Sequence, residues 1–134
     1  MTEIIRSLKI EAPLQNVWAL FDIRTWPDFS NLFPAVAINT KILRVKSTAE
    51  IQSYLTREKI QYTATILAYS PHEKLEYSRY NGPLPGNSVW NLCRAEKGMR
   101  IEYVNVFEHK LTDRLQAEIG RNMERFLTDI QKCI

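Results

Sequence analysis

A chain of 134 residues, 45% hydrophobic and 25% charged, is long enough to bury one continuous core and ordinary in composition for a folded protein. Its formal net charge is +3, with Lys and Arg spread among Asp and Glu, which argues against a dedicated nucleic-acid surface. No apolar run approaches the roughly 20 residues that span a bilayer, and the start, Met1-Thr2-Glu3-Ile4-Ile5-Arg6, does not read as a secretory signal. Cys93 and Cys133 fit no metal or redox spacing, so both are expected to be free thiols in a reducing cytoplasm. Without linker, repeat or low-complexity segment, residues 1–134 are expected to form a single domain.

In chain order, a first strand is predicted to end at Ile10. A helix follows, opened by Pro13, since a first helical position has no intrahelical use for its amide. Leu14, Val17, Trp18 and Phe21 give that helix an apolar face. A second short helix is expected around Trp26, with Thr25 and Asp28 at capping-box spacing. From about Ala35 to Glu108 the chain is rich in strand formers. Turns are expected near Lys46-Ser47-Thr48, Arg57-Glu58-Lys59, Ser70-Pro71-His72, Asn81 to Gly86, and Glu96-Lys97-Gly98. With the first strand this gives about seven strands, mostly antiparallel because the connections are short. The stretch from Lys41 to Lys59 carries five cations against two acids and reads as a solvated hairpin rather than a membrane-surface patch. The last 24 residues change period: Leu111, Leu115, Ile119, Met123, Phe126 and Ile130 mark one stripe of a long helix. Thr112 is placed to cap it, and Gly120 inside it costs about 1 kcal/mol in propensity unless another backbone or side chain needs the space.

Pattern alone gives an α+β domain with helices on one face of an antiparallel sheet. The opening Ile10-Glu11-Ala12-Pro13-Leu14-Gln15-Asn16-Val17-Trp18, the following Trp26-Pro27, Ser70-Pro71 before Leu75, and Lys97-Gly98-Met99-Arg100-Ile101-Glu102-Tyr103 together resemble the polyketide cyclase/dehydrase and lipid transport (START-like) superfamily. That resemblance covers essentially the whole chain. It implies a helix-grip fold, in which a curved antiparallel sheet wraps a long C-terminal helix and two short helices follow the first strand. It also implies a cavity between sheet and helix that holds a small hydrophobic molecule.

Alternation predicts which side chains see such a cavity. Odd positions from Met99 to Phe107 are apolar apart from Asn105, and even positions from Ile4 to Ile10 are apolar apart from Arg6. A two-residue hairpin between Arg57 and Ile60 would pair Leu55 with Tyr62, Ser53 with Ala64 and Ile51 with Ile66. The small Ser53 and Ala64, opposed on the inner face, would then leave volume unfilled. Leu75, Tyr77 and Arg79 are inner candidates on the next strand. A Lys97-Gly98 turn puts Trp90 and Leu92 inside, whereas a three-residue turn would put Asn91 and Cys93 there. The expected ligand contacts are therefore Arg6, Ser53, Tyr62, Ala64, Tyr77, Arg79, Trp90, Tyr103, Asn105, Ile119, Met123 and Phe126. Arg6 and Arg79 are expected to reach solvent at the sheet rim. The Asn81–Gly86 loop reads either as a gate or as a plain connection.

Catalytic signatures are scarce. His72 and His109 lack a neighbouring base–orienter arrangement, and no nucleophile elbow, phosphate loop or zinc motif occurs. Neither a metal nor a cofactor is expected, and no catalytic residue is assigned. The first functional reading is a binder or carrier of a small lipid-like or aromatic molecule. A second is an aromatase/cyclase-type enzyme in which Tyr62, Tyr103 or Arg79 polarises a carbonyl. A third is a chaperone- or quinone-associated interaction module, which would show an exposed apolar patch at Trp26, Phe29, Leu32 and Phe33.

Overall fold

The computed structural model describes all residues, Met1–Ile134. Seven strands, β1 (Thr2–Ile10), β2 (Ala35–Ile38), β3 (Thr48–Ser53), β4 (Ile60–Ser70), β5 (Lys74–Tyr80), β6 (Gly86–Ala95) and β7 (Gly98–Phe107), form one antiparallel sheet in the order β1-β7-β6-β5-β4-β3-β2. Only β1 lies beside a strand remote in sequence; every other pair is joined by a hairpin or loop. Helices α1 (Leu14–Ala19) and α2 (Trp26–Phe29), with a 3₁₀ turn at Ile23–Thr25 between them, follow β1, and α3 (Asp113–Lys132) closes the chain. This is the α+β helix-grip arrangement that the sequence predicts.

Alternation buries one face of the sheet. Met99, Ile101, Tyr103, Asn105 and Phe107 of β7 point inward with Leu75, Tyr77 and Arg79 of β5 and Trp90 and Leu92 of β6. Against them α3 packs Ile119, Met123, Phe126, Leu127 and Ile130, all buried. Thr112 caps the helix as expected, its hydroxyl accepting from the Leu115 amide at 3.2 Å.

Several local expectations need correction. The capping box at Thr25 does not form: Thr25 already has helical dihedrals and its hydroxyl donates to the Asp22 carbonyl. Asp22 caps the 3₁₀ turn instead, accepting from the Arg24 amide and pairing with the Arg24 guanidinium. Burial pushes the Asp22 carboxyl up, but the hydrogen bonds and charge of Arg24 outweigh it and hold the group below its usual value. The β2 strand is only four residues long, and the segment that follows it is a loop, not a strand. There the Ser47 hydroxyl accepts from the Arg44 amide and Leu43 turns inward.

Two hairpin registers also differ from prediction. Ser53 stands opposite Ile60, Ile51 opposite Tyr62, and Ala49 opposite Ala64, a slip of four residues along the ladder from the predicted pairing. Ser53 ends β3 because its hydroxyl accepts from the Leu55 amide at 2.9 Å, turning the chain into a longer 54–59 loop. Ser53 and Ala64 therefore do not oppose each other. The β6–β7 turn is Glu96-Lys97, with Ala95 opposite Gly98 rather than Glu96 opposite Met99. Gly98 has φ +98°, and a Cβ there would stand 2.3 Å from the Ile10 carbonyl oxygen. Both slips move the pairing by an even count, so every side chain stays on its predicted face.

Gly120 is explained by Arg6. On the inner side of β1, Arg6 runs under α3, where its Nε donates to Glu124 Oε1 at 2.9 Å and its Nη1 donates to the Ile5 carbonyl at 2.8 Å. A Cβ on residue 120 would lie 2.2 Å from Arg6 Nη2. Gly120→Ala should thus gain its helix propensity, about 1 kcal/mol, only where Arg6 is absent. In a double-mutant cycle by urea denaturation, Gly120→Ala is expected to stabilise an Arg6→Ala background by about 1 kcal/mol and the unmodified chain by clearly less. Equal effects in both backgrounds would contradict the contact.

Candidate functional site

The inner face of the sheet is ordered in rows. Ile66, Tyr77, Ser88, Asn105 and Ile4 stand side by side across β4, β5, β6, β7 and β1. On one side lies the row Ala49, Ala64, Arg79, Gly86, Phe107, and on the other the row Leu75, Trp90, Tyr103, Arg6. Of the twelve predicted contacts, the nine on strands occupy this one face, and Ile119, Met123 and Phe126 meet it from α3.

Arg79 is the exceptional member. Its residue exposure is 2%, so it does not reach solvent at the rim as expected. Nη1 donates to Ser88 Oγ at 2.6 Å and Asn105 Oδ1 at 2.8 Å, Nη2 to the Val106 carbonyl at 2.7 Å, and Nε to the Leu84 carbonyl at 3.2 Å. Its Cζ also lies 4.7 Å from the centre of the Phe107 ring. All four acceptors are neutral, and no carboxylate pairs with this guanidinium. Burial draws its pKa down, while an arginine stays charged at neutral pH. The row is built around it: a Cβ at residue 86 would stand 1.9 Å from the Val106 carbonyl oxygen and 2.8 Å from Arg79 Nη2, so only glycine lets the guanidinium lie there.

Three further polar atoms in the same rows are fully buried without a hydrogen-bond partner: Tyr77 Oη, Trp90 Nε1 and Asn105 Nδ2. Tyr77 Oη lies near Ser88, Tyr62 and Trp90, but makes no well-formed bond to any of them. Asn105 satisfies only its carbonyl side, which accepts from Arg79 and from Ser88 Oγ at 2.6 Å. An orphaned buried donor costs roughly 1–3 kcal/mol. Burial pushes the Tyr62, Tyr77 and Tyr103 hydroxyls up, so all three are protonated donors at neutral pH.

The space expected beside these groups is nearly filled. A void of about 10 Å³, room for one water at most, lies among Ser53, Leu55, Tyr103, Met123 and Phe126. What fills the interior is an aromatic cluster that the segment after α1 completes. Trp26 lies 5.1 Å from Phe126 and 5.5 Å from Trp90, Phe33 lies 4.7 Å from both Trp26 and Phe126, and Trp90 stacks on Tyr103 at 3.6 Å. Trp26, Leu32 and Phe33 are therefore core residues, and the exposed patch that an interaction module needs at those positions is absent. The alternation argument considers only sheet and α3, which is why it misses Trp26 and Phe33; their Trp-Pro and Phe-Pro contexts mark turns, not depth.

The 54–59 loop covers the void. Leu55 is buried in its lining, and Asn122 Nδ2 of α3 donates to the Tyr54 and Leu55 carbonyls at 2.9 and 3.2 Å. Open grooves lie on both sides of that loop. One, of about 670 Å³, is lined by Phe29, Tyr54, Arg57, Arg121 and Arg125; the other, of about 530 Å³, by Arg57, Ile60, Leu84 and Leu115. The Asn81–Gly86 connection is tied down by the Arg79–Leu84 bond and by Pro85, whose carbonyl accepts from the Glu108 amide.

No family model matches the chain, and no curated protein is similar to it in sequence. Solved structures are similar in fold. A protein of Thermus thermophilus aligns with TM-score 0.81 at 12% identity, over 98% of this chain and 96% of its own. The Zhui aromatase/cyclase of a Streptomyces species aligns with TM-score 0.70 at 15% identity, over 98% and 90%. Major latex-like protein 151 of Panax ginseng aligns with TM-score 0.74 at 10% identity, over 98% and 93%. At these identities the likeness establishes the fold alone, and the chain shares the helix-grip fold of these structures.

Proposed function

We propose that residues 1–134 act as a single domain that binds a small apolar molecule between the sheet and α3, and that a carbonyl, carboxylate or similar acceptor on that molecule is held by Arg79. The carrying observation is the buried guanidinium without a counter-charge, set beside three orphaned donors in a face otherwise lined by aromatic rings. A mostly apolar wall with a few converging polar groups is the usual composition of a small-molecule site. Entry is through the 54–59 loop. Withdrawal of Leu55 and release of the Asn122 bonds join the two grooves to the void, and rotation of Phe33, Met123 and Phe126 supplies the remaining volume. Arg6, Ser53, Tyr62, Ala64, Tyr103 and Ile119 complete the proposed contact surface.

Binding is favoured over cyclase-type turnover because no Asp, Glu or His that could move a proton belongs to the inner face. The aromatase/cyclase among the fold neighbours is why the enzymatic reading stays second.

Two probes of nearly equal shape test the role of Arg79: anilinonaphthalene sulfonate, which is anionic, and N-phenylnaphthylamine, which is not. Arg79→Met is expected to weaken the sulfonate at least tenfold, about 1.4 kcal/mol, and the neutral amine by less than about threefold, measured by fluorescence titration. Equal losses, or none, would contradict the assignment. Tyr77→Phe removes an orphaned hydroxyl without opening a cavity. It should leave the unliganded chain as stable or more stable by up to about 1 kcal/mol in urea denaturation, because burial of an unmet polar group is unfavourable. A loss above about 1 kcal/mol would mean that Tyr77 Oη has a structural partner.

A further inference from the structure

The loop between β2 and β3, residues 39–47, has no place in the ligand reading; from charge alone it reads as part of a solvated hairpin, but the structure makes it unusual in two ways. From Asn39 to Ala49 it contains Lys41, Arg44 and Lys46 and not one acid. None of these three cations takes part in an ion pair; the three pairs of the chain are Arg6–Glu124, Arg24–Asp22 and Lys74–Glu76. Between the cations the loop displays Ile42 and Val45, exposed at 74% and 47%. Lys46 donates its amide to the Ile66 carbonyl and Ile66 returns a bond to the Ser47 carbonyl, which lays the loop tip beside Leu67, itself 46% exposed.

The display is held by the fold. Leu43 is buried and anchors the loop, and the Thr40 hydroxyl bonds Ser47 Oγ at 2.8 Å and donates to the Ile42 carbonyl at 2.8 Å. Arg24 donates to the Lys41 carbonyl. Lys46 sits at φ 75°, a left-handed turn that a lysine adopts only where its surroundings require it. Apolar residues facing water on a braced, acid-free basic loop suit a surface that is anionic outside and apolar just beneath.

We propose that the Lys41–Lys46 loop docks the chain on an anionic lipid bilayer, with Ile42, Val45 and Leu67 entering the acyl boundary and Lys41, Arg44 and Lys46 among the headgroups. Each basic residue held near such a surface adds about fivefold to binding, and shallowly inserted apolar side chains add the rest. The loop sits at the opposite end of β3 from the 54–59 loop, so a docked molecule keeps its proposed ligand route turned away from the bilayer. Docking is accordingly independent of ligand binding, and either reading can fail without the other.

The test is sedimentation of the full chain with vesicles of equal parts phosphatidylserine and phosphatidylcholine, against phosphatidylcholine alone. Binding is expected to the anionic vesicles only and to weaken as salt is raised. The triple change Lys41→Gln, Arg44→Gln, Lys46→Gln should reduce it at least tenfold, and so should Ile42→Ser with Val45→Ser. All five side chains are solvent-exposed, so thermal melting should be unchanged and a folding defect is distinguishable. Three results overturn the proposal: no sedimentation with anionic vesicles at low salt, binding that survives the triple change, or loss on the triple change with no loss on the Ile42/Val45 pair. The last would mark the loop as a general polyanion contact, and retention on heparin with the same sensitivity would identify it as such.

Discussion

Four hydrogen bonds from one guanidinium organise the inner face of this sheet. Arg79 links β5 to β6 through Ser88, to β7 through Asn105 and Val106, and to the β5–β6 connection through Leu84. Gly86 is a glycine because the guanidinium and the Val106 carbonyl pass where a side chain would be. Ser88 and Asn105 are polar in an otherwise apolar row because they receive it. Transfer of an arginine out of water onto neutral acceptors alone is unfavourable, so the arrangement costs stability that a Leu or Met at the same position would not. The compensation lies in the aromatic packing of Trp26, Phe33, Trp90, Tyr103 and Phe126 just beside it.

That pairing of a rigid apolar cluster with an incompletely satisfied polar row is what gives the fold a chemical direction. A helix-grip fold by itself is a container, and folds of this kind serve unrelated ends. Orphaned donors are the part that points to a ligand, since each is a hydrogen bond that the folded chain leaves unmade. The same cluster explains why the interior holds only a small void: the chain closes on its own rings, with Leu55 and the Asn122 bonds completing the closure.

Much of this is legible in the sequence, for reasons that also show where legibility stops. Period-two alternation places Tyr77, Trp90, Tyr103 and Asn105 on the inner face, and period 3.6 places Met123 and Phe126 against them. Those assignments survive because both register shifts are even. The β3–β4 hairpin slips by four residues because Ser53 accepts from the Leu55 amide and lengthens the loop, a local competition that spacing does not reveal. Arg79 reads as a rim residue because burial of an unpaired arginine runs against its hydration. Only the placement of Ser88, Asn105 and a glycine on the two strands that follow β5 makes the burial intelligible. The filling of the interior by Trp26 and Phe33 depends on how the segment after α1 folds back over the sheet, which no periodicity encodes.

The three tryptophans allow the central claim to be read from single atoms. Trp26 Nε1 already donates to the Leu20 carbonyl at 2.8 Å, whereas Trp90 Nε1 is buried and has no partner. In ¹H–¹⁵N spectra of the chain titrated with anilinonaphthalene sulfonate, the Trp90 indole resonance, assigned by its loss in Trp90→Phe, should shift saturably and by more than that of Trp26. A Trp90 resonance that stays fixed while the probe binds and shifts only surface amides would contradict a ligand site on this inner face.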